Sequence, residues 1–390
     1  MKWKWSALLF VSFTFCVALS ELALRLMGRP KEITIGWTHD GVEKNELGFR
    51  GRYGSLKPNT ILLMGDSEVL ASAHPLAKMP ETRFEESLER FGITHTRVMS
   101  VSSSGWGQDQ ELLALKTILK THKPSHVVLW MTYRNDFWNN TFPTHLPKNG
   151  YPKPTYWLEN ELLKGPNLEW LALYHRYDWH LVRVFASLRK IPSYPTDDEW
   201  SARMGLPYAA ADSTDMKIPT IEEDVHLTQG IPLSELKDFA QWEDFETEKT
   251  HFHLEFYPPS QRKRYSIALT KALLKEIQTA TENSGAKFLV TTPIAKQPLE
   301  QTTPNDLRRV RFRDKVYGLS LSEQYRVVGD TLKDFPHYLF HKVGPSSLIS
   351  SKDRHLNDRA IKDFMDGVAQ RIHKDLNFPP NQPVATRAGS

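Results

Sequence analysis

Short apolar runs alternate with stretches of helical spacing along most of this 390-residue chain. The runs with the length and composition of buried strands are 60–64, 97–101, 126–131 and 287–292, and a further strand is predicted at 325–328. The stretches with helical spacing are 81–91, 108–121, 261–284 and 357–375. This alternation predicts an α/β fold in which helices cover both faces of a parallel sheet.

The N-terminal segment has the pattern of an export signal. Lys2 and Lys4 precede an uncharged and mostly apolar stretch at 5–20. Residues 18–20 offer a small-x-small cleavage site, so residues 1–28 are predicted to be a cleaved signal peptide or an apolar helix that anchors the chain in a membrane. We therefore expect the following domain to be anchored and to face the periplasm or cell exterior, or to be secreted.

The composition limits which partners and cofactors are expected. A net charge of +4 is small for this length and does not call for a nucleic-acid partner. The basic run Arg308–Arg313 is interpreted as the solvated face of a helix or strand, with an anion-binding patch as the alternative. The single cysteine, Cys16, excludes an intramolecular disulfide and a cysteine metal site. His251 and His253 alternate as in a strand, but no third ligand is evident, so neither metal nor cofactor is predicted.

The loop after the first predicted strand contains a candidate nucleophile. In the string Gly-Asp-Ser-Glu at 65–68, Ser67 stands between a strand end and a helix start. In parallel sheets this edge is where ligands bind, and a serine here exposes both its hydroxyl and its backbone N–H. A plain turn with a helix N-cap is the alternative. Val69 occupies the position where the Gly-x-Ser-x-Gly elbow needs glycine, which argues against an α/β-hydrolase.

The next two strands also end in loops with candidate functional residues. Gly105 follows the second strand, and glycine allows the backbone N–H to approach a ligand closely. Asn135 follows the third strand, where a side-chain amide can donate a hydrogen bond to a developing oxyanion. Ordinary turns explain both residues equally well when each is taken alone.

A candidate base lies near the C-terminus, in the string Asp-Arg-His at 353–355. A serine hydroxyl becomes a good nucleophile when a base such as the His355 imidazole takes its proton. Asp353 is close enough in sequence to accept a hydrogen bond from the other ring nitrogen and fix the tautomer. Capping of the following helix is the alternative for either residue.

The order of these blocks resembles that of the SGNH (GDSL-like) hydrolase superfamily, which is named for its Ser, Gly, Asn and His. The resemblance covers about 60–140 and 287–372 and includes the string Gly-Trp-Gly-Gln-Asp-Gln-Glu-Leu that begins at Gly105. It implies a flavodoxin-like doubly wound sheet and a serine esterase. It also assigns the roles: Ser67 as nucleophile, His355 as base, Asp353 as the residue that orients it, and the Ser67 N–H, Gly105 N–H and Asn135 side chain as the oxyanion hole.

The chain departs from the family pattern at two positions. Glu68 follows the nucleophile, where the strict Gly-Asp-Ser-Leu string has leucine. Only Arg354 separates Asp353 from His355, where the family often has two residues, so the role of Asp353 is less firmly carried over. Asp66 is expected to be structural and to hold the active-site loops.

The remaining regions complete the predicted organisation. The hydrolase domain is expected over 29–376, with an irregular insertion at about 138–260 and a disordered tail at 377–390. The insertion contains many of the tryptophans, at 138, 157, 170, 179, 200 and 242, which suit either sugar platforms or a hydrophobic core. An acylated small molecule or glycan is therefore the expected partner.

Three other functions compatible with this pattern remain open. A lipid esterase or thioesterase uses the same residues with an apolar acyl pocket. An acyltransferase passes the acyl group, which we expect to be acetyl, to a sugar hydroxyl instead of water. A non-catalytic glycan-binding or assembly protein keeps only the fold.

Overall fold

The computed structural model of this protein describes residues 2–27, 44–54, 59–145, 151–168, 201–202, 231–232, 243–295, 306–350 and 353–375. Its helices are α1 (Lys2–Met27), α2 (Ser67–Leu70), α3 (Pro80–Arg90), α4 (Gln108–Ile118), α5 (Asp136–Asn139), α6 (Gln261–Asn283), α7 (Leu321–Leu332) and α8 (Asp358–Asp375). Its strands are β1 (Thr60–Gly65), β2 (Arg97–Ser102), β3 (His126–Trp130), β4 (Thr144–His145), β5 (Tyr151–Pro152), β6 (Trp157–Glu159), β7 (Leu162–Lys164), β8 (Ile231–Pro232), β9 (Lys287–Ala295), β10 (Arg308–Phe312), β11 (Lys315–Leu319) and β12 (His337–Val343). Short 3₁₀ helices cover Leu76–Lys78, His253–Glu255 and Pro345–Ser347.

A five-stranded parallel sheet in the order β12-β9-β3-β1-β2 forms the centre of the fold, which confirms the prediction of an α/β protein with a parallel sheet. β1 pairs with both β2 and β3, and Gly65 at its end lies level with Ser102 and Trp130. The three loops that follow these strands therefore start from one edge of the sheet. This is the edge where ligands bind in such folds.

Helices pack on both faces of the sheet, and alternate residues of β1 supply the contacts. Leu62 and Met64 belong to a buried cluster shared with α4, α6 and α7. Ile61 and Leu63 belong to a second buried cluster, shared with α3 and α8. Because β1 is buried on both faces, its sequence is a continuous apolar run with no polar alternation.

The predicted strand at 325–328 is wrong, because these residues lie inside α7. Ser320 caps this helix by accepting a hydrogen bond from the N–H of Glu323 at 3.1 Å. Tyr325 and Val328 are buried against the sheet on one side of the helix. The last strand of the sheet is β12, farther along the chain.

Much of the predicted insertion lies outside the described residues, as do the tryptophans at 170, 179, 200 and 242. Within the described part, Trp138 is only 3% exposed, so it belongs to the interior and offers no open platform. Residues 308–312 of the basic run form strand β10, which pairs with β11 and β8 in a separate small sheet, and Arg313 lies in the turn that follows. The predicted tail at 377–390 also lies outside the described residues.

The N-terminal residues form helix α1, whose side chains Phe10, Phe13 and Phe15 are exposed. Among the described residues, none of the helices combines the length and the apolar character that a membrane span needs. Signal cleavage, anchoring and export stay predictions.

Helix α8 is fixed to the sheet and to α3 by both apolar and charged contacts. The Phe364 ring meets the Trp130 ring nearly at right angles, with centroids 4.7 Å apart. Arg83 of α3 donates two hydrogen bonds to Oδ1 of Asp358, from Nε at 2.9 Å and from Nη2 at 2.6 Å. Asp358 is the first residue of α8, so these contacts fix the end of the helix that follows the predicted base, His355.

Replacing Phe364 with alanine should lower the free energy of unfolding by about 3–5 kcal/mol, because a fully buried aromatic side chain is removed and a cavity remains. Urea denaturation followed by tryptophan fluorescence measures the change. Lys362→Ala, an exposed position on the same helix, is the matched control. Equal stability of the two variants would contradict the assigned packing.

Candidate active site

Ser67 opens helix α2 directly after the strand β1. The turn that carries it requires glycine at 65, because a Cβ there would lie 2.6 Å from Cγ2 of Val69 and 3.0 Å from the carbonyl oxygen of Trp130. Ser67 is half-buried at the carboxyl edge of the sheet. Within the described part of the chain, its backbone N–H has no hydrogen-bond acceptor.

Asp66 is buried beneath this turn and accepts three hydrogen bonds. The donors are the backbone N–H of Glu68 at 3.0 Å, the hydroxyl of Thr132 at 2.9 Å and Nδ2 of Asn135 at 2.9 Å. One carboxylate therefore joins the turn after β1 to the loop after β3, and it fixes the side chain of Asn135.

His355 contacts both of its predicted partners. Its Nε2 lies 2.9 Å from Oγ of Ser67, and its Nδ1 lies 2.7 Å from Oδ1 of Asp353. The same oxygen of Asp353 accepts the backbone N–H of His355 at 3.2 Å. When Nδ1–H donates to this carboxylate, the lone pair on Nε2 is free to accept the Ser67 proton. A single intervening residue is thus enough for the aspartate to reach the histidine.

The charges around His355 favour its protonated form. Burial lowers the pKa of the imidazole, but the charge of Glu68 and then the hydrogen bond and charge of Asp353 outweigh burial, so the pKa of His355 is raised. Burial raises the pKa of Asp353, yet the hydrogen bonds from His355 bring it below its usual value. The two side chains are 41% and 39% exposed, so water screens their attraction.

Gly105 has a backbone φ of +70°, in the left-handed region that favours glycine. Its carbonyl oxygen accepts a hydrogen bond from Nδ2 of Asn139 at 2.6 Å. Among the described residues no hydrogen bond uses the N–H of Gly105, and none links Gly105 directly to Ser67 or His355.

The predicted site residues are therefore brought together to different degrees. Ser67, His355 and Asp353 are joined by direct hydrogen bonds. Asn135 is joined to them through Asp66, and its second amide hydrogen is not used by that bond.

Sequence reasoning missed the buried polar network behind this site. The first four residues of α4, at 108–111, are all polar and all buried. Asp109 forms a fully buried ion pair with Lys153. Gln108 donates to Oδ2 of Asp136 at 2.5 Å and accepts from Asn140 at 2.7 Å. Four consecutive polar residues at a helix start look like an exposed first turn, so the sequence carries no signal of their burial.

The two histidines considered as metal ligands have other partners. His251 and His253 lie on a turn and a 3₁₀ helix, so the strand predicted for them is wrong. Nδ1 of His251 lies 2.9 Å from Glu243, and Nε2 of His253 lies 2.8 Å from Ser266. In the part of the chain that the structure describes, there is no cluster of three His, Cys, Asp or Glu side chains that suits a metal ion.

Comparisons with known proteins leave the family open. No protein-family model and no curated protein matches the chain. The crystal structure of TesA aligns over 80% of this chain and 98% of its own length, at 12% identity and a TM-score of 0.35. The psychrotrophic esterase EstA from Pseudoalteromonas sp., inhibited by monoethylphosphonate, aligns over 82% and 99%, at 12% identity and a TM-score of 0.34. Similarity this low carries no argument about activity, so the function rests on the geometry of the site.

Glu111 and Asp136 are carboxyl groups of the buried network whose pKa values are raised. Burial raises the pKa of Glu111 well above its usual value, and the charges of Asp136, Asp66 and Asp109 raise it further. Burial and the charge of Asp66 act on Asp136 in the same direction. Since unfolded carboxyl groups ionise near pH 4, a raised pKa in the folded state makes stability depend on pH above that value.

Replacing Glu111 with glutamine should make stability less dependent on pH. Because the pKa of Glu111 is higher in the folded state than in the unfolded state, its protonated form stabilises the fold. This stabilisation is complete below the unfolded pKa and decreases as pH rises toward the folded pKa. The decrease is at most about 1.4 kcal/mol per pH unit for one proton. The stability of the variant relative to the wild type should therefore increase as pH rises above the unfolded pKa. Urea denaturation at a series of pH values from that point upward measures the difference. Parallel curves for the two proteins would contradict the assignment, and Glu89→Gln on exposed surface is the control.

Proposed function

We propose that this protein is a serine hydrolase that cleaves carboxylic esters. The observation that supports it most is the 2.9 Å hydrogen bond between Oγ of Ser67 and Nε2 of His355. A structural serine needs no imidazole partner of this kind, and the 2.7 Å contact of Nδ1 with Asp353 supplies the orientation that a general base requires.

In the proposed reaction, Oγ of Ser67 attacks the ester carbonyl carbon while its proton passes to Nε2 of His355. The tetrahedral intermediate collapses, the C–O bond to the alcohol breaks, and the alcohol leaves with the proton from His355. Water then attacks the acyl-enzyme, His355 takes a proton from it, and the carboxylic acid is released as Ser67 is restored. Asp353 stabilises the imidazolium in both halves of the reaction.

Three donors are proposed for the oxyanion. They are the N–H groups of Ser67 and Gly105 and the second hydrogen on Nδ2 of Asn135. Support comes from the N–H groups, which have no acceptor among the described residues, and from Asp66, which fixes the Asn135 amide. A preorganised donor of this type contributes about 3–4 kcal/mol to lowering the barrier.

Ser67→Ala should lower kcat/KM for nitrophenyl acetate by a factor on the order of 10⁴ or more, because the attacking atom is lost. The full chain is assayed for release of nitrophenol. The same samples are treated with a fluorophosphonate probe, which should label wild-type protein at Ser67 and leave the variant unlabelled.

Ser72→Ala is the matched control, since Ser72 is exposed and lies only a few residues downstream. It should keep wild-type activity and labelling. Equal turnover by Ser67→Ala, or wild-type protein that neither hydrolyses the ester nor takes up the probe, would refute the proposal and favour the non-catalytic alternative.

The proposed substrate is an acylated glycan, with acetyl as the acyl group. The predicted export signal and the number of tryptophans in the insertion support this choice. An acyltransferase would share the acyl-enzyme, and product analysis with an acceptor sugar distinguishes transfer from hydrolysis. We also propose that the site works outside the cytoplasm, held at a membrane through the N-terminal segment or released from it.

Acyl-chain length separates this substrate from a lipid ester or thioester. An apolar acyl pocket gains about 0.8 kcal/mol for each buried CH₂, so kcat/KM would rise steeply from acetyl to octanoyl esters. Acetyl specificity predicts the opposite order, with kcat/KM highest for the acetyl ester. A series of nitrophenyl esters measures it, and a steady rise with chain length would replace the acetyl proposal with the lipid alternative.

A further inference from the structure

Glu68 lies where the nucleophile turn meets the loop that carries the base. It is the second residue of α2, directly after Ser67, and it is half-buried. Its Oε2 accepts the backbone N–H of Leu356 at 3.2 Å, and Leu356 is the residue that follows His355. A side chain adjacent to the nucleophile therefore holds the backbone adjacent to the base, across 288 positions of sequence.

The other backbone group of Leu356 is held from the same side. Nε2 of His74 donates to the carbonyl oxygen of Leu356 at 3.0 Å. The turn that carries His74 is in turn fixed by Arg50, whose Nη2 donates to the His74 carbonyl at 2.6 Å and whose Nη1 donates to that of Leu70 at 2.7 Å. The base loop is thus docked by both the N–H and the C=O of one residue, and Glu68 supplies the charged contact.

Two acidic residues act on the imidazole, Asp353 by a direct hydrogen bond and by charge, and Glu68 by charge. Asp353 bonds His355 directly, but that pair is about two-fifths exposed and solvent screens it. Burial lowers the pKa of His355, and the charge of Glu68 opposes this more than the hydrogen bond or the charge of Asp353 does when each is taken singly.

Glu68 itself responds to the same surroundings. Burial raises the pKa of Glu68 to about 7, the charge of His355 opposes this, and the charges of Asp66 and Asp353 add to it. The imidazole is faced by Glu68 and Asp66 from the nucleophile turn, by Asp353 from its own loop, and by His74 across Leu356. Glu68 and His355 therefore titrate as a pair.

We propose that Glu68 is a positioning residue for the reaction and a second acidic partner of the base: it holds the His355 loop against the Ser67 turn and places a negative charge beside the imidazole. The inference rests on the proposed serine hydrolase function. It extends that function, because the base, His355, is paired with two acidic residues, Asp353 and Glu68, where one is usual.

The test compares Glu68→Gln and Glu68→Ala. Glutamine keeps a carbonyl oxygen that can accept the Leu356 N–H but removes the charge, whereas alanine removes both. The readout is the rate of labelling by a fluorophosphonate as a function of pH, in which Ser67 Oγ displaces fluoride from phosphorus and its proton passes to His355. This rate needs neutral imidazole and no knowledge of the natural ester.

In the wild type the pKa of His355 is raised, so the imidazole stays protonated to higher pH. The rate of labelling should therefore increase as pH rises through the pKa of His355. Both variants should move this acid limb to lower pH, because the charge is gone in each. Glu68→Gln should keep nearly the same plateau rate, while Glu68→Ala should lose about tenfold at the plateau through the missing hydrogen bond. Glu89→Gln, which changes an exposed glutamate on α3, should leave the profile unchanged.

The outcomes separate this inference from the function on which it rests. Wild-type protein that is not labelled at Ser67 overturns both. Wild-type labelling with an acid limb that stays in place in Glu68→Gln overturns only the role of Glu68, as does a uniform loss of rate at all pH values. Because Gln is isosteric with Glu, the test holds even where the alanine variant fails to fold, and thermal unfolding of each variant checks this.

Discussion

A single hydrogen bond of 2.9 Å, between Oγ of Ser67 and Nε2 of His355, joins positions 288 residues apart, and much of the fold serves to hold those two atoms together. Ser67 is fixed by a strand that is paired on both sides. His355 depends on α8, whose first residue, Asp358, is bound by Arg83 of α3. The packing of α8 against α3 therefore fixes the end of the contact that carries His355.

The central sheet was predicted well where its strands are buried on both faces, because such strands are continuous apolar runs. The prediction failed for residues 325–328, because a short apolar run fits a buried helix as well as a strand. These residues lie in α7, the helix that Ser320 caps. The prediction also missed β12, an edge strand that contains His337, His341 and Lys342 and is only partly buried. Edge strands carry polar residues, so periodicity gives little sign of them.

The site was predictable to the extent that topology alone brings its residues together. Ser67 and Asn135 follow adjacent parallel strands, and that placement requires only the order of strands in the sheet. Glu68 was visible only as a departure from a family pattern, because its proposed role depends on a hydrogen bond to the backbone of Leu356, far away in sequence. Glu111 was invisible for a similar reason, since only the packed fold shows that this polar residue is buried.

The carboxyl groups near the site differ in the number of hydrogen-bond donors that surround them. Asp66 accepts three hydrogen bonds, and bonds of this kind offset the cost of burying a polar group. Burial and the charge of Asp66 both raise the pKa of Glu111 and Asp136, and the same charge acts to raise the pKa of His355. In the proposed reaction, the charge of Asp66 therefore favours the imidazolium that forms as Ser67 gives up its proton, although Asp66 makes no hydrogen bond to His355 among the described residues. The proposal thus gives Asp66 two roles, one in shaping the Ser67 turn and one through its charge.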